Sequence, residues 1–223
     1  MPKVAFIIPV WNGDSYLSET LETIRRQTFK DIEIIVIDDC SPDYTRDLME
    51  WYTKQDVRIK YHRFEENQGV CEARNYGNKM ASAEVICVSD QDDLSVPHRA
   101  IYSYLYLKDH PEINCLTSAY YECNVDAIRI RKFTPPDMTR EVFESGNFVW
   151  FHSSAVYRKE DILKLPYRSV SGATDDWIFL DDWTKEGMRF HTSNKVLGDC
   201  RRLPGGQMQQ RRAAQGAQPS FIL

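Results

Sequence analysis

The segment Val85-Ile86-Cys87-Val88-Ser89-Asp90-Gln91-Asp92-Asp93-Leu94-Ser95-Val96-Pro97 decides how the chain is read. Its first four residues form an unbroken apolar run, as expected of a strand covered on both faces in a parallel sheet. Three aspartates then fall within four positions. Carboxylates crowded at the mouth of a buried strand repel one another unless something positive joins them.

Working outward, Val4 to Ile8 and Ile32 to Ile37 are further apolar runs, and Val57 to His62 alternates like a strand nearer an edge. Helical spacing falls between them: Leu17, Leu21 and Ile24, with Asp14 or Ser15 as cap; then Leu48, Trp51 and Tyr52; then Ala73, Tyr76, Gly77 and Met80. This order predicts an α/β fold, a Rossmann-like and mostly parallel sheet flanked by helices. The second half is less regular and predicts a smaller mixed region. A helix carries Ile101, Tyr104 and Leu105. Strands cover Ile113 to Tyr121 and Ile128 to Phe133, Phe148 to Tyr157 is extended, and Gly187 stops a helix over Asp176 to Glu186. Trp177, Leu180 and Trp183 at helical spacing predict core, and Asp181-Asp182 a solvated face. From Leu203 onward the chain lacks periodicity, which predicts a partly disordered or lid-like tail.

A length of 223 residues fits one domain, or one core built from two halves. The divisions expected are 1–97, 98–200 and a tail over 201–223. A net charge of -5 argues against a nucleic-acid partner, which would need a basic face. No stretch reaches membrane-span length, and the N-terminal apolar run, interrupted by Pro9, is too short for a signal peptide. Peripheral membrane association is left open. The six cysteines include no C-x-x-C pair and read as reduced thiols, implying a cytoplasmic location.

The chemistry collects where the strands end. In an open α/β sheet, ligands bind beyond the carboxyl ends of the strands. Here those ends carry Pro9-Val10-Trp11-Asn12-Gly13, Asp38-Asp39-Cys40-Ser41, Glu66-Asn67-Gln68-Gly69 and Asp90-Gln91-Asp92-Asp93. Neither G-x-G-x-x-G after the first strand nor G-x-x-x-x-G-K-[ST] is present. Phosphates of a bound nucleotide would therefore need another counter-charge. Mg²⁺ or Mn²⁺ between a carboxylate and diphosphate oxygens is the expected one. An Asp-rich turn capping the helix after Pro97 is the alternative.

Four ordered stretches, PVWNGDSYLSETLETIRRQTF, IEIIVIDDCSPDYT, ENQGVCEARNYG and SDQDDLSVP, resemble the successive motifs of family 2 inverting glycosyltransferases of the GT-A fold. A weaker likeness continues through GNFVWFHSSAVYR and ATDDWIFLDDWTKEGMRF. The resemblance implies transfer of a sugar from a nucleotide-sugar donor, usually a UDP-sugar, to a saccharide or other acceptor hydroxyl. It implies that Pro9 and Trp11 line the nucleobase pocket, that Asp39 bonds the base, and that Arg74 lies near the nucleotide. Asp90 and Gln91 would face the ribose and sugar, Asp92 would bind Mn²⁺ or Mg²⁺, and Asp176 would be the catalytic base. It places His152-Ser153-Ser154 under the acceptor. The family's Glu-Asp pair is Asp175-Asp176 here, and its late Tyr-Arg-x-His segment is replaced by Asp199-Cys200-Arg201-Arg202-Leu203-Pro204. Arg201 or Arg202 is expected to stand in for that His at the diphosphate. A nucleotidyltransferase and a non-catalytic nucleotide-sugar-binding protein remain as alternatives.

Overall fold

The computed structural model describes residues 1–203. The expected tail beyond that point lies outside the described residues. The chain runs β1 (Val4–Val10), α1 (Leu17–Arg25), β2 (Ile32–Asp38), α2 (Thr45–Gln55), β3 (Ile59–Arg63), α3 (Val70–Met80) and β4 (Val85–Val88). It continues through β5 (Leu94–Ser95), α4 (Arg99–Asp109), β6 (Cys115–Cys123), β7 (Arg129–Phe133), α5 (Arg140–Ser145), β8 (Val156–Arg158), α6 (Lys159–Lys164), α7 (Asp175–Lys185) and β9 (Phe190–Arg201). The strands form one sheet in the order β3-β2-β1-β4-β8-β6-β9-β5, with β7 on β6.

β1 lies between β2 and β4, parallel to both, with Ile7 opposite Ile35 and Val88. Alternate residues of a strand face opposite sides of the sheet, and both sides here are apolar. Val4, Phe6, Ile8 and Val10 pack with Leu17, Leu21 and Ile24 of α1 and with Met49 and Tyr52 of α2. Ala5 and Ile7 face Cys71 and Ala73 of α3 and the cluster containing Phe179, Leu180 and Trp183 of α7. Each such Ile, Leu or Phe contributes about 1.5–3 kcal/mol on burial, so the continuous apolar runs are the reason the sheet is sandwiched. α3 approaches β1 closely at Gly77, where a Cβ would fall 2.6 Å from Ile7 Cγ2.

Successive strands step outward from β1 to β3, and the chain then returns to place β4 on β1's other side. The gap between the ends of β1 and β4 is thus a topological switch point, where α/β sheets bind ligands. The second half does not build a separate sheet. β8 runs antiparallel to β4, and β6 and β9 extend the sheet in parallel with each other.

Several sequence expectations change. Neither Asp14 nor Ser15 caps α1: its cap residue is Tyr16, without a side-chain bond. The Asp14 N–H instead donates to Asp43 Oδ2 at 2.9 Å. Phe148 to Tyr157 is not extended throughout, because a 3₁₀ turn over His152–Ser154 interrupts it before β8. Trp183 and Leu180 are core, but Trp177 is 43% exposed. Asp181 and Asp182 are ion-paired rather than simply solvated, with Arg140 and Lys185 on the first and Arg168 on the second. β9 escaped the periodicity reading because polar His191, Asn194 and Lys195 interrupt its apolar positions; pairing with β6 through the backbone holds it in place.

Candidate active site

Parallel register brings the strand ends to one rim. Val10 pairs with Asp38, and the Ser89 N–H donates to Ile7 O at 3.1 Å. The loops after β1, β2 and β4 therefore share an edge. Pro9 lies buried in β1, and Trp11, just beyond it, is 55% exposed.

Gln91 joins two of these loops. Its Oε1 accepts from the Trp11 N–H at 2.9 Å and its Nε2 donates to Trp11 O at 3.1 Å. The amide is thereby spent on the backbone that presents Trp11, so Gln91 here shapes the rim. Asp39 is nearly buried, and its two oxygens accept the N–H groups of Gln68 (2.6 Å) and Gly69 (2.8 Å). Gly69 has φ +90°, a conformation that favours glycine, and it leads directly into α3. Asp39 therefore fixes the entry to α3 as well as standing at the rim. Its neighbour Asp38 is fully buried and holds Tyr61 Oη (2.6 Å) and Arg63 Nη1 (2.5 Å).

The aspartates after β4 have cationic partners behind them. Arg74, buried on α3, donates to Asp90 Oδ1 at 2.6 Å and forms an ion pair with Asp175 at the start of α7. Arg99 lies beneath, donating to Val88 O (2.7 Å) and Ser153 O (2.5 Å). Arg201 does not reach outward as expected. Its side chain is 1% exposed, with Nε on Asp92 O (3.0 Å), Nη2 on Glu19 (2.5 Å) and Nη1 on Val125 O. Arg202 pairs with Glu122. Arg201 thus latches the aspartate loop from behind.

These cations do not neutralise the cluster. Burial and the nearby Asp90 push the Asp92 carboxyl up to about 6, and burial with Asp92 and Asp90 pushes Asp93 well above the carboxylate range. Asp93 is also held by the Arg201 N–H at 2.9 Å. Among the described residues no three His, Cys, Asp or Glu side chains converge into a complete metal site. An under-compensated carboxylate at the rim fits a divalent cation that takes its other ligands from a diphosphate and water.

On the opposite side stands the N-terminus of α7. Asp176 Oδ1 accepts from Thr174 Oγ1 (2.5 Å) and the Trp177 N–H (2.8 Å). Trp177 stacks on Phe148 at 5.5 Å between centroids and lies 4.8 Å from Phe143. Tyr167 is a site neighbour that the sequence did not identify, whereas Asp175 and Ser153 entered only through the family resemblance. The Ser153 hydroxyl accepts from the Asp90 N–H at 2.7 Å, and Tyr167 carries Arg74 over its ring. The cysteines are all free thiols, and no helix among the described residues is long and apolar enough to cross a membrane. A cleft of about 620 Å³ lined by Ser82–Val85, Lys108 and Lys159 opens at the other end of β4, away from this rim.

Comparison with known proteins bears on the family and the fold. The family model "Glycosyl transferase family 2" matches residues 5–185. The glycosyltransferase EpsJ of Bacillus subtilis is 28% identical over 170 residues, covering 72% of this chain and 49% of its own. A Campylobacter jejuni GalNAc(5)-diNAcBac-PP-undecaprenol beta-1,3-glucosyltransferase is 39% identical over 94 residues, or 42% of this chain and 30% of its own. In structure, S. aureus TarS 1-349 in complex with UDP-GlcNAc superposes with a TM-score of 0.74 at 21% identity, over 93% of this chain and 60% of that one. Pyrobaculum calidifontis mannosyltransferase PcManGT, in complex with GDP-Man and Mn2+, gives 0.70 at 20% identity, over 96% and 61%. The chain spans about half the length of EpsJ. Both structural neighbours share the GT-A arrangement of a curled sheet between helices. With its model matched over most of the described residues, the chain belongs to glycosyl transferase family 2.

Proposed function

We propose that the protein is an inverting, metal-dependent glycosyltransferase that uses a nucleotide-sugar donor, most directly a UDP-sugar. The observation that carries this reading is the connected line Asp90–Arg74–Asp175, which joins the aspartate rim to the helix bearing Asp176. Trp11 and Asp39 would receive the base, and Asp90 and Arg74 the ribose and diphosphate side. Asp92 would hold Mn²⁺ or Mg²⁺, which when bound would offset charge on the leaving diphosphate. A UDP-sugar complex of TarS and a GDP-Man and Mn2+ complex of PcManGT support the donor and metal classes.

In this reading the chemical step uses the N-terminus of α7. An acceptor hydroxyl seated beside Trp177 attacks the anomeric carbon from the face opposite the diphosphate. Asp176 takes the hydroxyl proton, the bond to the diphosphate oxygen breaks, and the configuration inverts. The products are a glycoside and a nucleoside diphosphate.

A thermal-shift screen of UDP-glucose, UDP-GlcNAc and GDP-mannose tests the reading, each with Mn²⁺ and with EDTA. A ligand that binds only the folded state stabilises it by RT ln(1 + [L]/Kd), about 2.7 kcal/mol at a hundredfold excess over Kd. At least one UDP-sugar should stabilise the protein with Mn²⁺ and not with EDTA. Absence of any metal-dependent stabilisation would overturn the reading.

A further inference from the structure

Behind Arg74 runs a buried polar chain that the transfer reaction does not by itself require. The Trp150 indole N–H donates to His152 Nδ1 at 3.3 Å. That leaves the imidazole proton on Nε2, which lies 2.8 Å from the Tyr167 hydroxyl. The Tyr167 hydroxyl then reaches Tyr157 Oη at 3.2 Å, and Tyr157 donates to Asn78 Oδ1 at 3.4 Å. With Nε2–H as the donor, each group in the chain donates once and each proton has one destination.

Four contacts connect this chain to the site. The Arg74 guanidinium lies over the Tyr167 ring, 5.5 Å from its centroid. The Tyr167 backbone is clamped by the side chain of Asn75, the residue next to Arg74, through bonds of 2.8 and 3.0 Å. The same 3₁₀ turn that carries His152 also carries Ser153, whose hydroxyl accepts the Asp90 N–H. The His152 ring meets Phe179 of α7 edge-on at 5.3 Å. Burial and the neighbouring Arg74 charge push the imidazole down to about 3, so it stands neutral beside a cation.

We infer that His152, fixed as its Nε2–H tautomer, is a positioning residue: through Tyr167 it holds the Arg74 guanidinium where it bridges Asp90 to Asp175. Arginine is a long side chain whose planar guanidinium both pairs with carboxylates and stacks on aromatic faces, so a ring beneath it narrows the orientations it can take. The Tyr167 ring is that support, and its hydroxyl is the handle by which His152 sets the ring's angle. A phenylalanine at 152 would fill similar space but would leave the Trp150 N–H and the Tyr167 hydroxyl each short of a partner. The inference rests on placing Arg74 in the proposed site, but it concerns the bridge itself and not sugar transfer.

Nitrogen-15 NMR of the full chain labelled at Arg and His tests it without substrate. In the wild type His152 should show the Nε2–H tautomer, and the Arg74 Nη protons should give resolved, slowly exchanging signals. His152→Asn cannot place a donor at the Nε2 position, and Tyr167→Phe keeps the ring but removes the handle. In both variants exchange of the Arg74 Nη protons should become about tenfold faster or more. His152→Gln, whose amide nitrogen falls near Nε2, should retain slow exchange. Ile59→Ala, in the core of edge strand β3, controls for loss of stability and should leave the Arg74 signals unchanged. An Nδ1–H tautomer, unchanged Arg74 exchange in Tyr167→Phe, or an equal acceleration in Ile59→Ala would overturn the inference. Absence of glycosyl transfer by the wild type, with the NMR pattern intact, would instead count against the proposed function alone.

Discussion

Replacing Asp92 by Asn should make the cation-free protein more stable near neutral pH while removing the group that would hold a divalent cation. Burial, with Asp90 close by, raises the Asp92 carboxyl from 3.8 to about 6. Unfolding returns it to its ordinary value. The difference of about two pK units, at about 1.36 kcal/mol each, is a penalty of about 3 kcal/mol on the ionised folded state. The sign follows from a folded pKa above the unfolded one. The protonated group's favourable contribution is complete below about pH 4 and is lost as pH rises through about 6. Asparagine does not ionise, so the variant escapes that loss. Arg201 bonds the Asp92 carbonyl and not its carboxylate, so the loop's latch stays in place. For a chain of this size each kcal/mol shifts Tm by about 2–4 °C, which gives a gain of about 6–12 °C. Circular-dichroism melts in EDTA at about pH 7.5 should show it. At about pH 4.5 the same linkage leaves about 1 kcal/mol, and the gain should shrink to about a third. An Asn variant no more stable than wild type at the higher pH, or a gain that does not shrink in acid, would refute the electrostatic reasoning.

Other substitutions separate the remaining roles. Asp176→Asn should lower turnover by roughly 10²–10⁴-fold with nucleoside diphosphate affinity unchanged in calorimetry; near-wild-type turnover would remove it as the base. Asp175→Asn takes one carboxylate from the buried Arg74, so it should lower both Tm and turnover; an unchanged Tm would contradict the ion pair. Asp39→Ala should cost about 1–3 kcal/mol of stability, because two N–H groups at the entry to α3 lose their acceptor; an unchanged denaturation midpoint would contradict that contact. Arg201→Ala should destabilise the fold by about 2–3 kcal/mol by leaving the Asp92 and Val125 carbonyls without their donor; a loss of diphosphate affinity at unchanged Tm would restore Arg201 to the ligand side.

Much of the first half was legible because its strands are buried on both faces. A strand of that kind has no polar residues to interrupt it, so Val4 to Ile8, Ile32 to Ile37 and Val85 to Val88 stand out, and each ends in polar residues that form one rim. The second half was less legible for an opposite reason. β9 carries polar residues through its middle, and the turn at His152–Ser154 is fixed by side-chain bonds to distant residues such as Tyr167. Spacing along the chain does not encode such contacts. Trp177 was misread because helical spacing shows which residues recur on a face, not where the packed face ends. Arg201 was misread because a late cation near a diphosphate motif suggests the ligand, while its three hydrogen-bonding nitrogens are all spent inside the fold.

On the proposed function, the rim after β4 binds a nucleoside diphosphate through a cation on Asp92. Isothermal titration of UDP into wild-type protein, with Mn²⁺ and separately with EDTA, and into Asp92→Asn with Mn²⁺, tests it most directly. Binding should be measurable in the first titration and lost or weakened by at least about tenfold, or about 1.4 kcal/mol, in the other two. Equal affinity in all three titrations would contradict cation-mediated binding at this rim.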